Sequence, residues 1–392
     1  MRFAVALVAA LAGCSSENVV RNDLPYQGDA WVESRASHVI EKSSLAVVTN
    51  NLSDTVSLLD LSKNSVVATV PVDIDPLAVD GPHHAVVDAN AEFLYAPFAY
   101  PREGAGLGPH AEHGSSQVPG ILVKLRVRDL ARVGTLTVEN NPGDIVMTPD
   151  GKRVIVSHFD LLRAIDGLKA KKPLAELRAP LVIVDTATMS RVASPAPCVA
   201  GHGMAVTNAK LYLACYGEDA IAVVDLNDPK TSELIPLGAA PSVPPDVVFG
   251  PYFVTLGPSG NEVVVSETEG KGFRQIDLAT KKTTQRAALA GAVFGPALTR
   301  DGASWLVPVQ SPDQLVAVDA TTFAVKKTRA FTADTCQKPH QIVRRGDRYL
   351  LVCEGDHVKP GKIVEVDPST LETIRSFDVG VYPDVIAFPE GS

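Results

Sequence analysis

Val56-Ser57-Leu58-Leu59-Asp60 is a short apolar strand that ends in Asp and runs into a polar turn. Close copies stand at Val182-Ile183-Val184-Asp185, Ala222-Val223-Val224-Asp225, Gln275-Ile276-Asp277, Val316-Ala317-Val318-Asp319 and Val364-Glu365-Val366-Asp367. From Asp185 on, recurrence at intervals of roughly 40–60 residues marks a repeat architecture built from one supersecondary unit. The terminal Asp suits its place, because a carboxylate there can accept backbone N–H groups and start the turn.

Working outward from these strands, each unit holds four apolar runs separated by turn chemistry. Pro149-Asp150-Gly151, Pro258-Ser259-Gly260, Arg300-Asp301-Gly302 and Arg345-Gly346-Asp347 read as tight turns between first and second strands. Full units fall at 82–138, 142–195, 198–237, 246–289, 293–331 and 337–379. Two pieces remain: three strands at Leu45–Asn50, Thr55–Asp60 and Val66–Val70, and a lone first-type strand at Asp384–Phe388. Joined, they make a seventh unit from both ends of the domain. The expectation is an all-β, seven-bladed β-propeller over residues 43–392, closed by its N- and C-terminal strands, which removes exposed sheet edges. Two inserts, Pro101–Gly120 and Asp160–Ala179, lie between second and third strands. Leu161, Leu162, Ile165 and Leu168 have helical spacing, so the second insert is expected to hold a short helix broken near Pro173.

The stretch Ala46-Val47-Val48-Thr49-Asn50-Asn51-Leu52-Ser53-Asp54-Thr55-Val56-Ser57-Leu58-Leu59-Asp60 resembles the YVTN-family β-propeller repeat. Pro149-Asp150-Gly151-Lys152-Arg153-Val154-Ile155-Val156 resembles the turn and second strand of that repeat. The resemblance covers residues 43–392 and points to the propeller superfamily that includes cytochrome d1 and nitrous oxide reductase. It implies an architecture and says little about chemistry.

The N-terminus reads as a targeting segment. Arg2 precedes the apolar run Phe3–Ala12, too short to span a bilayer, and Leu11-Ala12-Gly13-Cys14 resembles a bacterial lipoprotein lipobox. The resemblance makes 1–13 a signal peptide, Cys14 the lipidated first residue of the mature chain and 14–42 a polar tether, with one turn of order near Trp31. It places the protein in the bacterial cell envelope, periplasmic or at the outer membrane or cell surface, with the lipid on Cys14 as its membrane contact. The net charge of −9 argues against a nucleic-acid partner, since phosphate binding needs a basic surface.

Besides Cys14 the chain has four cysteines, Cys198, Cys215, Cys336 and Cys353. Each pair has the same spacing and the same address: one Cys just before a unit's first strand, the other at the end of its second strand. In a propeller those places share a face. Disulfides Cys198–Cys215 and Cys336–Cys353 follow in an oxidising compartment. A thiolate metal site is the alternative, because Cys198 and Cys336 each precede a His by four residues. There is no Cys-x-x-Cys-His, hence no c-type haem attachment site.

Histidines share an address too. His83, His84, His202 and His340 begin first strands, His158 ends a second strand, and His110, His113 and His357 lie in loops between second and third strands. All map to the rim that carries both inserts. First strands line the central channel, so His84, His202 and His340 are candidate metal ligands. His83, Asp144, Tyr252 and Asp384 are expected beside them at the channel mouth. Capping of inner strands by polar side chains is the plain structural alternative. Gly-x-Ser-x-Gly, a phosphate-cradling loop and His-Glu-x-x-His are all missing, so nucleophilic and zincin chemistry find no support.

Two functions follow. The first is a membrane-anchored binding or scaffold lipoprotein that uses one rim to recognise another envelope protein or a polymer, with no catalytic residue and no certain cofactor. The second is a redox or hydrolytic propeller with copper or iron on the His cluster.

Overall fold

The computed structural model describes residues 36–75, 78–100, 114, 116–239, 242–244 and 246–389. Cys14, Trp31, His110 and His113 lie outside the described residues. Seven antiparallel sheets form seven blades. The first is closed from both ends of the domain, with Pro383–Ala387 as its inner strand against Leu45–Asn50, Thr55–Asp60 and Ser65–Pro71. Blade two spans Val86–Val87 to Ala131–Asn140, blade three Pro142–Met147 to Ser190–Ala193 and blade four Gly201–Val206 to Ser232–Pro236. Blades five and seven run from Pro251–Leu256 to Lys282–Ala288 and from Pro339–Arg345 to Thr373–Val381. In blade six the inner strand is split into Ala292–Val293 and Ala297–Leu298, both paired with Ser304–Gln310.

The core follows the ring. One buried apolar cluster fills the contact between each blade and the next, including the contact that joins blade seven to the closing blade. Val, Ile and Leu alternate along the middle strands so that each sheet feeds both neighbouring interfaces. Burial on both faces is why the strands read as apolar runs.

The Asp turns work as their chemistry suggests. The Asp60 carboxylate accepts the Ser62 N–H at 3.0 Å, and Asp319 accepts those of Thr321 and Thr322 at 3.0 and 2.9 Å. The Ser62 hydroxyl and Lys63 hold the Asp60 carboxyl down at about 2. On the other rim, a second Asp device locks blades one, four and six to the chain entering the next. Asp54, in left-handed backbone, accepts the N–H groups of Asp80 and Gly81 at 2.9 and 2.8 Å. Asp219, also left-handed, accepts those of Val248, Phe249 and Gly250 at 2.8, 2.9 and 2.8 Å. Asp313 does the same for Lys338 at 3.1 Å.

Both inferred disulfides are present: Cys198–Cys215 and Cys336–Cys353, with Cα atoms 5.9 and 5.2 Å apart. They tie the start of a first strand to the end of a second strand, on the rim that carries the helical insert. That insert forms helix α1, Leu161–Lys169, capped by Asp160, whose side chain accepts the Arg163 N–H. Pro173 starts a short second turn, Leu174–Leu177. Arg178 then pairs with buried Glu218 at 2.9 Å, and the other Glu218 oxygen accepts the Val199 N–H at 2.9 Å. The helix is thereby held against blade four. The segment before Leu45 sits on the opposite rim, where the His38 N–H donates to the Arg128 carbonyl at 2.6 Å.

Candidate functional site: a buried His–Asp cluster on the channel axis

Inner strands start alike. Pro142, Gly201, Pro251, Pro339 and Pro383 each stand opposite the last residue of a second strand, namely His158, Cys215, Glu267, Cys353 and Asn50, while Pro82 bridges to Phe98. Proline suits the first residue of a strand, where no ladder donor is needed. The residue after each start points to the axis. Around the ring these are His83, Gly143, His202, Tyr252, Phe294, His340 and Asp384, one per blade. The next layer is His84, Asp144, Gly203, Phe253, Gly295, Gln341 and Val385.

Hydroxyls of neighbouring second strands set the first layer. Ser157 donates to the His202 carbonyl at 2.7 Å and Ser266 to that of Phe294 at 2.7 Å, and Thr49 donates to that of His83. The rings then meet. His83 stacks on His84 with centroids 4.5 Å apart, His202 stacks on Tyr252 at 3.8 Å, and His84 lies edge-on to His202 at 5.4 Å and to His340 at 5.9 Å.

Two groups of donors result: His83, His84 and His202; and His84, His340 and Asp384. Within each, one ligand atom per residue lies within 4.8 Å of the others, and every member is buried. His84 belongs to both. Its Nδ1 is 2.5 Å from Asp144 Oδ1. A carboxylate only accepts, so Nδ1 carries the proton and, in the neutral ring, Nε2 holds the lone pair. That Nε2 is buried with no hydrogen-bond partner among the described residues. His340 Nδ1 lies 2.8 Å from the Asp384 backbone oxygen, which likewise leaves Nε2 as its ligand atom. Asp384 Oδ2 is 3.2 Å from His83 Nε2 and accepts from Asn51 Nδ2 at 3.0 Å.

Electrostatics divide the cluster. Burial lowers His84, yet the charge and hydrogen bond of Asp144 outweigh it and leave the group raised. Burial pushes His340 down to about 4 and the Asp384 carboxyl up to about 7. Burial also raises Tyr252 well above the phenol range. Metal-binding His residues commonly hand their second nitrogen to a carboxylate or carbonyl, as His84 and His340 do here. The donor set of imidazoles plus one carboxylate suits copper, iron, nickel or zinc.

The cluster is not at an open mouth, contrary to the expectation from its address. His83, His202, His340, Tyr252 and Asp384 are each 0% exposed. Phe159 and Tyr216 pack over the aromatic members of that ring, Tyr252 and Phe294, on the insert-bearing side, and Leu161, Ala164 and Leu177 of the insert join the same cluster. Free space lies on the other side. A cavity of about 340 Å³ begins at His84 and Asp144 and runs along the inner strands past Val146 and Thr255 to Phe388. His158 sits apart: its Nδ1 meets the Pro180 carbonyl at 2.6 Å and its Nε2 accepts the Glu139 N–H at 3.2 Å, a structural role. His357 pairs with buried Glu354 at 2.9 Å and stacks on Tyr382. The four propeller cysteines are occupied as disulfides, which removes the thiolate metal site.

No family model matches the chain, and no curated protein does. Solved structures do. The periplasmic gluconolactonase PpgL of Pseudomonas aeruginosa is 15% identical, over 87% of this chain and 98% of that one, with a TM-score of 0.60. Kuenenia stuttgartiensis hydrazine synthase is 14% identical over 78% and 88%, with a TM-score of 0.55. The dihydro-haem d1 dehydrogenase NirN is 15% identical over 90% and 76%, with a TM-score of 0.54. At these identities the likeness shows the propeller fold alone, and function has to come from the site.

Proposed function

We propose that this propeller is an extracytoplasmic metalloprotein that holds one first-row transition ion, copper or iron, on its axis through His84. The remaining ligands come from His83 and His202 or from His340 and Asp384. The observation that carries this is His84 itself: a buried imidazole pinned through Nδ1 by Asp144, with Nε2 unpartnered and two sets of donor atoms within 4.8 Å. Leaving such a nitrogen dry and unpaired costs about 1–3 kcal/mol, which an ion would repay. Since His84 offers one nitrogen, the two sets compete for a single ion. Such an ion supplies either one-electron chemistry or Lewis-acid activation of a bound group.

Two disulfides and the lipobox-like Leu11–Cys14 support the location. So does fold likeness to the periplasmic gluconolactonase. Lipidation of Cys14 is part of the proposal, and Cys14→Ser should move the protein from the membrane to the soluble fraction. The site is tested by metal analysis of untagged protein purified without chelators. One equivalent of metal in the wild type, lost in the triple variant His84→Ala, His202→Ala, His340→Ala, supports it; substoichiometric metal in the wild type sinks it. In that second case the scaffold reading stands. It rests on the braced rim, where the Ala179–Cys198 bridge beside the Cys198–Cys215 disulfide and the Arg178–Glu218 pair brace the insert for a partner protein or polymer.

A further inference from the structure

The ion just proposed needs a route to solvent, and the two ends of the axis differ. Toward the insert-bearing rim, the described residues stack two dry layers over His84: the ring of His83, His202, Tyr252, Phe294, His340 and Asp384, then Phe159 and Tyr216 beneath helix α1. Toward the rim of the Asp turns, exposure rises along five of the seven inner strands. His84 and Asp144 are buried, whereas Val146, Ala205, Thr255, Gln341 and Phe388 are partly exposed. The 340 Å³ cavity follows that gradient, and its size is at the lower end for small-molecule pockets.

We infer that the central channel is the substrate pocket of the proposed metal site, entered from the rim of the short Asp turns, and that it takes a small anion. The inference rests on the metal reading. The wall carries one carboxylate, Asp144, among the described residues that line it. Both of its oxygens are already used: Oδ1 by His84 and the Ile145 N–H, Oδ2 by the Met204 N–H at 2.7 Å. The rest of the lining is apolar or neutral. An ion at the closed end of a low-dielectric tube whose one carboxylate is already paired focuses its field along the tube and draws anions in. Gln341 shares the layer of His84 and lines the cavity, and its Oε1 is buried without a hydrogen-bond partner among the described residues. With that oxygen uncommitted, the carboxamide can turn its N–H groups to a bound anion, which makes Gln341 a positioning residue for the ligand. The bulk of Phe253 and Phe388 limits what fits.

The test uses copper(II)-loaded full-length protein with azide as probe, read by the azide-to-copper charge-transfer band. In the wild type azide binds. Thr255→Trp and, separately, Val146→Trp obstruct the channel away from the ligands and should weaken azide by about tenfold or more at unchanged copper stoichiometry. Gln341→Leu should weaken azide without altering copper content or the melting temperature. Arg163→Ala with Lys169→Ala, on the outer face of helix α1, should leave azide affinity as it is. Equal azide affinity in both tryptophan variants, each folded by circular dichroism, overturns the channel route. Copper that binds at one equivalent yet never responds to azide overturns the anion pocket but keeps the metal site. Failure of the wild type to bind copper or iron overturns both.

Discussion

Nδ1 of His84 stands 2.5 Å from the carboxylate of Asp144, although 60 residues separate them. The step repeats: the other oxygen of Asp144 takes the N–H of Met204, again 60 residues on. Consecutive blades thus deliver one imidazole, one carboxylate and one amide to a single line across the channel. The carboxylate fixes the tautomer of His84 and turns Nε2 toward the cluster.

Asp144→Asn tests that relationship. The amide keeps the shape and can accept at one atom, but it loses the charge that holds the Nδ1 proton. Metal affinity, measured by competition with a chromophoric chelator, should fall about 10–100-fold, the usual effect of removing a carboxylate behind a ligating His. Far-UV circular dichroism should not change. An unchanged affinity would show that Asp144 does not support the ligand.

Much of this centre was legible in the sequence. Turn chemistry and strand alternation are local, so the blade count and the strand limits Leu45–Asn50 and Thr55–Asp60 could be read residue by residue. The repeat then gave addresses to Cys198, Cys215, Cys336, Cys353 and the axial histidines. Depth was not legible. Phe159, Tyr216, Tyr252 and Phe294 come from four blades, and no periodic signal announces that they meet as one cluster. Nor does a pattern foretell the split inner strand of blade six. There Gly295 trades hydrogen bonds with blade seven, donating to the His340 carbonyl and accepting from the Ile342 N–H, and Phe294 is brought against His340. The pairing of His84 with Asp144 depends on both residues holding the second position after the strand-starting prolines, Pro82 and Pro142. That register emerges once the second strands are placed.

Gly203 sits where the inner strands of blades four and five come close together. A Cβ there would lie 2.6 Å from the Tyr252 carbonyl oxygen and 2.8 Å from the Phe253 Cα, both backbone atoms that cannot swing away. Gly203→Ala should therefore force blades four and five apart at the level where His202 stacks on Tyr252. The expected cost is about 1–3 kcal/mol by thermal melting, together with weaker metal binding. Gly151→Ala is the contrasting case. It has open space but a φ of +70°, so it should cost about 1 kcal/mol of backbone strain and leave metal binding alone.

Each disulfide closes a loop of sequence separation 17. The chain-entropy treatment gives such loops about 3 kcal/mol each. Blades four and seven share no partner through these bonds, so the effects of replacing Cys198 and Cys215, or Cys336 and Cys353, by Ala should add in urea unfolding. The unreduced propeller should show none of these four thiols to a thiol reagent, and four after denaturing reduction. Four reactive thiols before reduction would contradict the pairing.

His158 gives the fold an acid limb that can be isolated from the rest. Burial pushes its imidazole down to about 4 from 6.5, and both nitrogens are engaged, Nδ1 donating to the Pro180 carbonyl and Nε2 accepting from Glu139. Above pH 6.5 it is neutral folded or unfolded, and its contribution is complete. Between 6.5 and about 4 the unfolded chain takes up a proton that the folded chain refuses, so stability falls with falling pH, by about 3 kcal/mol over the window. Asp60 and Asp367, held at about 2 by their turn hydrogen bonds, lose their contributions only at lower pH. His340 acts with the same sign as His158, so the informative quantity is a difference. His158→Gln can make both hydrogen bonds and cannot titrate. Urea unfolding of the two proteins from pH 7.5 to 4.5 should give curves that part below pH 6.5, with the variant losing less stability per pH unit. Parallel curves would mean that His158 already carries its proton in the folded state or does not resist it there.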